Sequence, residues 1–140
     1  MTRSREHDLE GIDPAGLHPA AHAAATPDRV ALVMSESGET RTYRELDEGS
    51  TRLALVLRDR GMRPGDHIAV LLDNEPAFFD AVWAGLRSGL YVTPINWHLT
   101  AAEAGYIVAD CGATALVASA PLGDTVRELG DDLAGVTTRL

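Results

Sequence analysis

The sequence predicts an α/β protein: a doubly wound, mostly parallel sheet with flanking helices and a small hairpin ahead of it. Short apolar, partly β-branched runs at His67–Leu72, Tyr91–Ile95 and Ala113–Ser119 read as strands covered on both faces. Between them lie longer segments with helical spacing of apolar residues, closed by Gly89 and Gly112. The alternation of strand and helix then calls for right-handed crossovers between parallel strands. No sequence repeat of fixed period occurs, which argues against a solenoid.

Each element has its own signal. Residues 1–16 carry Arg3, Arg5, Glu6, Asp8, Glu10 and Asp13 and no apolar run, so they read as a disordered or loosely docked arm without a signal peptide or membrane span. Leu17–Ala25 suits a short helix opened by Pro19 and stopped by Thr26-Pro27-Asp28. Val30–Met34 and Thr40–Tyr43 read as the hairpin strands, turned at Ser37-Gly38. Thr42 with Glu45 forms a capping box that opens a helix with Leu46, Leu53 and Leu57 on one face, Val56 beside them, and Gly61 at its end. Arg63-Pro64-Gly65-Asp66 is the turn into the first sheet strand. After that strand Asn74 is the expected N-cap and Pro76 sits in the first turn of a helix whose apolar face is Phe78, Phe79, Val82, Trp83 and Leu86. Thr100 with Glu103 is a second capping box, and Tyr106, Ile107 and Cys111 are expected to turn that helix inward. A weak helix over Asp124–Leu129 and a last strand over Val136–Leu140 complete the series.

Composition narrows the function. The 140 residues fit one domain, and a formal net charge of -9 repels phosphate backbones, so nucleic acid is not an expected partner. The lone Cys111 has no intramolecular partner, which fits a reducing cytoplasm. All twelve basic residues are arginine. The absence of lysine excludes a phosphate-loop lysine, a Schiff base or a lysine grip on an adenylate for this chain acting alone. Neither the dinucleotide fingerprint nor the Walker pattern occurs.

The remaining candidates are few. His18 and His22 stand four apart, a metal-ligand spacing on a helix, but two ligands are too few and no third stands nearby. Asp73-Asn74 follows a strand where ligands gather in open α/β folds, although capping by Asn74 accounts for it as well. Phe78, Phe79 and Trp83 are explained by core packing. The segment Thr93-Pro94-Ile95-Asn96-Trp97-His98-Leu99-Thr100 joins a strand end to a helix start and offers an amide, an indole and an imidazole together.

Several pieces in order, TYRELD, RPGDHIAVLLDN, the aromatic helix with GLRSGLYVTPIN, and HLTAAEAGYIVAD, give the chain a resemblance from about Pro19 to Ser119. It is similar to the opening of acyl-CoA synthetases, relatives of luciferases and peptide-synthetase adenylation domains. The resemblance implies that 17–140 is a partial N-terminal α/β subdomain of the adenylate-forming enzyme fold. It also implies a two-step reaction in which a carboxylate, fatty acid or other, attacks ATP to give an acyl-adenylate, and the thiol of coenzyme A displaces AMP. ATP, Mg2+ and coenzyme A would serve the full-length enzyme, and none is expected to bind this piece tightly. The family's phosphate loop, adenine and ribose contacts and mobile lysine domain lie downstream of the matched region, so no catalytic or metal-ligating residue is assigned here. Asn96, Trp97 and His98 are the residues expected to face coenzyme A. In some members an arginine at the position of His98 contacts a phosphate of that cofactor, and a neutral imidazole does not reproduce a forked guanidinium contact. The alternative reading is a stand-alone, non-catalytic interaction module that covers its sheet by forming a homo-dimer.

Overall fold

The computed structural model describes residues 14–140. The arm expected over residues 1–16 lies outside them except for its last residues, which enter a 3-10 turn at Pro14–Leu17. Helix α1, Pro19–Ala25, packs on the long helix α2, Tyr43–Asp59. Between the two helices runs an antiparallel hairpin of β1, Val30–Val33, and β2, Thr40–Thr42. The remaining strands are β3, His67–Leu71, β4, Tyr91–Pro94, β5, Ala115–Ala118, and β6, Thr138–Arg139. They form one sheet in the order β4-β3-β5-β6, with every pair parallel. Helix α3, Pro76–Arg87, links β3 to β4, and α4, Ala101–Asp110, links β4 to β5 past β3. Helix α5, Gly123–Glu128, and a 3-10 turn, Gly130–Leu133, precede β6.

The central strands β3 and β5 are buried on both faces, as their compositions require, while the edge strand β4 is only partly covered. Ile68, Val70 and Leu72 join Leu57 of α2 and Ala81 and Ala84 of α3 in one cluster. Ala69, Leu71 and Leu116 face the other way, against Ala104 and Val108 of α4 with Leu129 and Leu133. The period of two along β3 thus feeds two cores from one strand. Both capping boxes form: Thr42 Oγ1 accepts from the Glu45 amide at 3.2 Å, and Thr100 Oγ1 accepts from the Glu103 amide at 3.3 Å. Each glutamate accepts in return from the threonine amide, and these hydrogen bonds hold both carboxyls below the usual range.

Several local expectations are corrected. The N-cap of α3 is Glu75, in extended conformation at φ -134 and ψ 156 and with no side-chain bond, and not Asn74. Pro76 sets this boundary, because the residue before a proline is pushed out of the helical region. Tyr106, expected inside, is 68% exposed, while Ala104, Gly105 and Val108 form the buried face of α4. Phe79, Leu86 and Val56 are likewise exposed; α3 turns Ala81, Ala84 and Gly85 to the sheet. Small side chains let a helix axis approach the strands, and here they outrank the bulkier apolar residues as the inward signal. The last strand shortens to Thr138–Arg139, though Leu140 continues the pairing by accepting from the Ala118 amide.

Candidate functional site

A cleft of about 700 Å³ opens at the carboxyl ends of β3 and β4. Its walls are Leu72–Glu75 after β3, Pro94–His98 after β4, the hairpin tip Leu32–Ser37, and Phe78 and Phe79 of α3. The chain leaves β3 toward the α3 face of the sheet and leaves β4 toward the α4 face. The cleft therefore sits at a topological switch point, where diverging connections leave a crevice in open α/β sheets.

The loop after β4 is held by short-range bonds. The Ile95 amide donates to the Val70 carbonyl at 2.8 Å and keeps the chain in the sheet up to the buried Ile95. Asn96 then turns it: its Oδ1 accepts from the His98 amide at 3.0 Å, and its carbonyl accepts from the Leu99 amide at 3.1 Å. Thr100 follows at once as the cap of α4, so five residues carry the chain from strand to helix. Within this turn the Trp97 and His98 rings lie with centroids 3.6 Å apart and planes at 31°. Trp97 also packs against the α4-side core, whereas Asn96 and His98 are exposed. The structure thus places Asn96, Trp97 and His98 side by side on the cleft wall.

Opposite them, the Asp73 amide donates to Oγ of the buried Ser119 at 3.4 Å, and the Glu75 amide donates to the Asp73 carbonyl at 2.8 Å. The carboxylates of Glu36, Asp73 and Glu75 line the cleft, and no arginine does. Such a wall repels a phosphate and accepts an uncharged or cationic group. Among the described residues no group of three or more His, Cys, Asp or Glu side chains is placed to hold a metal ion. The residues present therefore fit neither a nucleotide phosphate nor its magnesium ion.

The other sequence candidates lie elsewhere. His18 caps α1, its Nδ1 accepting from the Ala20 amide at 3.1 Å. His22 stacks on Tyr43, with centroids 4.7 Å apart. Cys111 is half-buried at the end of α4, where its Sγ donates to the Val108 carbonyl at 3.5 Å. Sequence reasoning missed the hairpin tip as a cleft wall, because a contact between Leu32–Ser37 and the ends of β3 and β4 is long-range. Phe78 and Phe79 were expected in the core ahead of a ligand wall; Phe78 does pack against the α3-side core, and both also line the cleft. A part-buried cluster, in which Arg87 of α3 binds Asp47 and Thr51 of α2, was not foreseen either.

Comparison with known proteins identifies the architecture. The model of the family described as AMP-binding enzyme matches residues 20–139. Fatty acid–[acyl-carrier-protein] ligase ScoC of Streptomyces coeruleorubidus is 33% identical over 129 residues, covering 92% of this chain and 24% of the ligase. Feruloyl-CoA synthase of an Amycolatopsis species is 34% identical over 114 residues, covering 81% of this chain and 23% of the synthase. The chain thus spans about a quarter of the length of these curated relatives. Among solved structures, the N-terminal domain of FACL13 from Mycobacterium tuberculosis superposes with a TM-score of 0.80 at 26% identity, covering 92% of this chain and 34% of that one. The chain belongs to the AMP-binding enzyme family, with the α/β fold of the N-terminal domains of adenylate-forming enzymes.

Proposed function

We propose that this chain is the N-terminal portion of an ATP-dependent acid–thiol ligase of the acyl-CoA synthetase kind. In the whole enzyme a carboxylate, a fatty acid in the simplest case, displaces diphosphate from ATP to give an acyl-adenylate. A thiol, that of coenzyme A, then displaces AMP to give the thioester. The carrying observation is the family match over residues 20–139 in a chain without a single lysine. The adenylation step develops charge on the α-phosphate that fixed cations must stabilise. The cleft offers carboxylates instead, so ATP and Mg2+ belong to downstream parts of the enzyme and this portion is inactive alone.

Asn96, Trp97 and His98 are the groups proposed to face coenzyme A. The Asn96 amide and the inclined Trp97–His98 ring pair offer polar and aromatic contacts suited to the amide-bearing arm that carries the thiol. The lone cysteine, with no intramolecular partner in this chain, supports a cytoplasmic enzyme. The test is a coupled assay for AMP release with ATP, coenzyme A and a panel of carboxylates. The purified 140-residue chain should be silent, and a chimera in which it replaces the matching segment of feruloyl-CoA synthase should turn over. ATP-driven thioester formation by the short chain alone would sink the reading.

A non-catalytic dimerisation module is the second reading. It is favoured by the exposure of Phe79 and Leu86 on α3, an apolar strip open to a partner. Sedimentation at several concentrations separates the two: a monomer throughout removes the module.

A further inference from the structure

His18 stands at the junction of three helices. Its Nδ1 accepts from the Ala20 amide at 3.1 Å and so caps α1. Its ring meets the Trp83 indole of α3 edge to face, with centroids 5.2 Å apart. With Nδ1 accepting, the single proton of the neutral ring sits on Nε2. That atom is buried and has no hydrogen-bond partner among the described residues. Among the described residues the charged groups facing His18 are Arg87 from α3 and Asp47 from α2, and Asp47 is already engaged by Arg87. On its own helix the one other titratable group is His22, stacked on Tyr43 of α2.

Protonation removes the cap outright. An imidazolium donates from both nitrogens, so Nδ1–H would confront the Ala20 N–H, donor against donor. The new charge would also sit beside the Arg87 guanidinium in a partly desolvated position.

We propose that His18 is a proton-released latch: neutral, it caps α1 and seats it on α2 and α3; protonated, it frees α1. The sign follows from the environment. Burial first, then Arg87, holds the docked ring below its ordinary value of 6.5, with Asp47 opposing. The released ring titrates at that ordinary value. Docking is therefore unpenalised above about pH 6.5 and weakens as pH falls through that value toward the depressed value of the docked ring. Release would uncover Trp83 and the Arg87 cluster.

The test is amide hydrogen exchange of the 140-residue chain at about pH 7.5 and about pH 5, corrected for the intrinsic pH dependence of exchange. Protection of the amides of Ala20, Ala21 and Thr26 should fall roughly five-fold at the lower pH, the factor set by a lost cap of about 1 kcal/mol. Amides of β3 and β5 should not change. His18→Asn supplies a cap that does not titrate, so the acid step should vanish with protection intact. His18→Ala should lose protection at both pH values, and His22→Gln should keep the step. Equal protection in the native chain at both pH values, persistence of the step in His18→Asn, or its loss in His22→Gln would each overturn the proposal.

Discussion

Two glycines show how tightly single residues are held. A Cβ on Gly85, where α3 lies on the sheet, would stand 2.9 Å from Ile68 Cδ1 and closer still to the Val92 side chain. Ile68 is a fully buried residue of β3 and Val92 a partly buried one of β4, so α3 or these strand side chains must shift to admit the methyl group. Gly85→Ala should therefore destabilise by about 1–3 kcal/mol despite its better helix propensity, read as a lower urea midpoint. Gly49 on α2 is a different case: its Cβ would stand 2.5 Å from Asp80 Oδ1, because the Asp80 carboxyl lies across the helix at that point. Burial there raises the Asp80 carboxyl above its ordinary 3.8, against the opposing pull of Arg41 and Arg52. A raised carboxyl penalises the folded state while ionised, and the penalty fades as pH falls through the folded value to the ordinary one. Asp80→Asn should thus raise the urea midpoint at about pH 7 and lose that advantage below about pH 4. An unchanged midpoint at neutral pH would show that the two arginines fully offset the burial.

At the scale of elements the caps decide where the cleft wall ends. Thr100 fixes the first turn of α4 directly after Asn96–Leu99, so removing its hydroxyl should fray that turn and loosen the cleft loop. Thr100→Ala should cost about 1 kcal/mol and broaden the amide signals of His98 and Leu99 in solution spectra, while a matched cost for Thr42→Ala should leave them sharp. In both boxes the glutamate is held below its ordinary 4.5, so these caps persist as pH falls to that value and loosen only as pH drops through the folded one. The two boxes were legible in the sequence because they are made within four residues. The start of α3 was misread by one position because Asn74 is a good cap in isolation while Pro76 dictates the backbone before it. Tyr106, Phe79 and Leu86 are exposed despite their size, because Ala81, Ala84, Gly85, Ala104 and Gly105 set how close each helix lies. The site divides the same way. Asn96, Trp97 and His98 are contiguous and their place after a strand was readable; the opposing hairpin wall depends on tertiary packing that no local pattern encodes.

In the whole molecule, β3 and β5 serve both cores, one through Ile68, Val70, Ala115 and Val117, the other through Ala69, Leu71 and Leu116. Neither layer of helices has a sheet of its own, so losing one exposes strands on which the other depends. The two faces should therefore unfold in a single transition rather than in sequence. The two tryptophans supply the probes, since Trp83 lies on α3 and Trp97 packs against the α4-side core. Single-tryptophan chains made by Trp97→Phe and Trp83→Phe should each give one urea transition by fluorescence and by circular dichroism. Leu57→Ala empties a fully buried site in the α2/α3 core and should lower stability by about 2–5 kcal/mol. The decisive feature is that Leu57→Ala must shift the Trp97 signal, on the far side of the sheet, as much as the Trp83 signal. The reciprocal substitution, Val108→Ala in the α4-side core, must move both signals together in the same way. A Trp97 transition left in place while the Trp83 transition moves would mean that the layers are separable, and that the parallel sheet does not couple them.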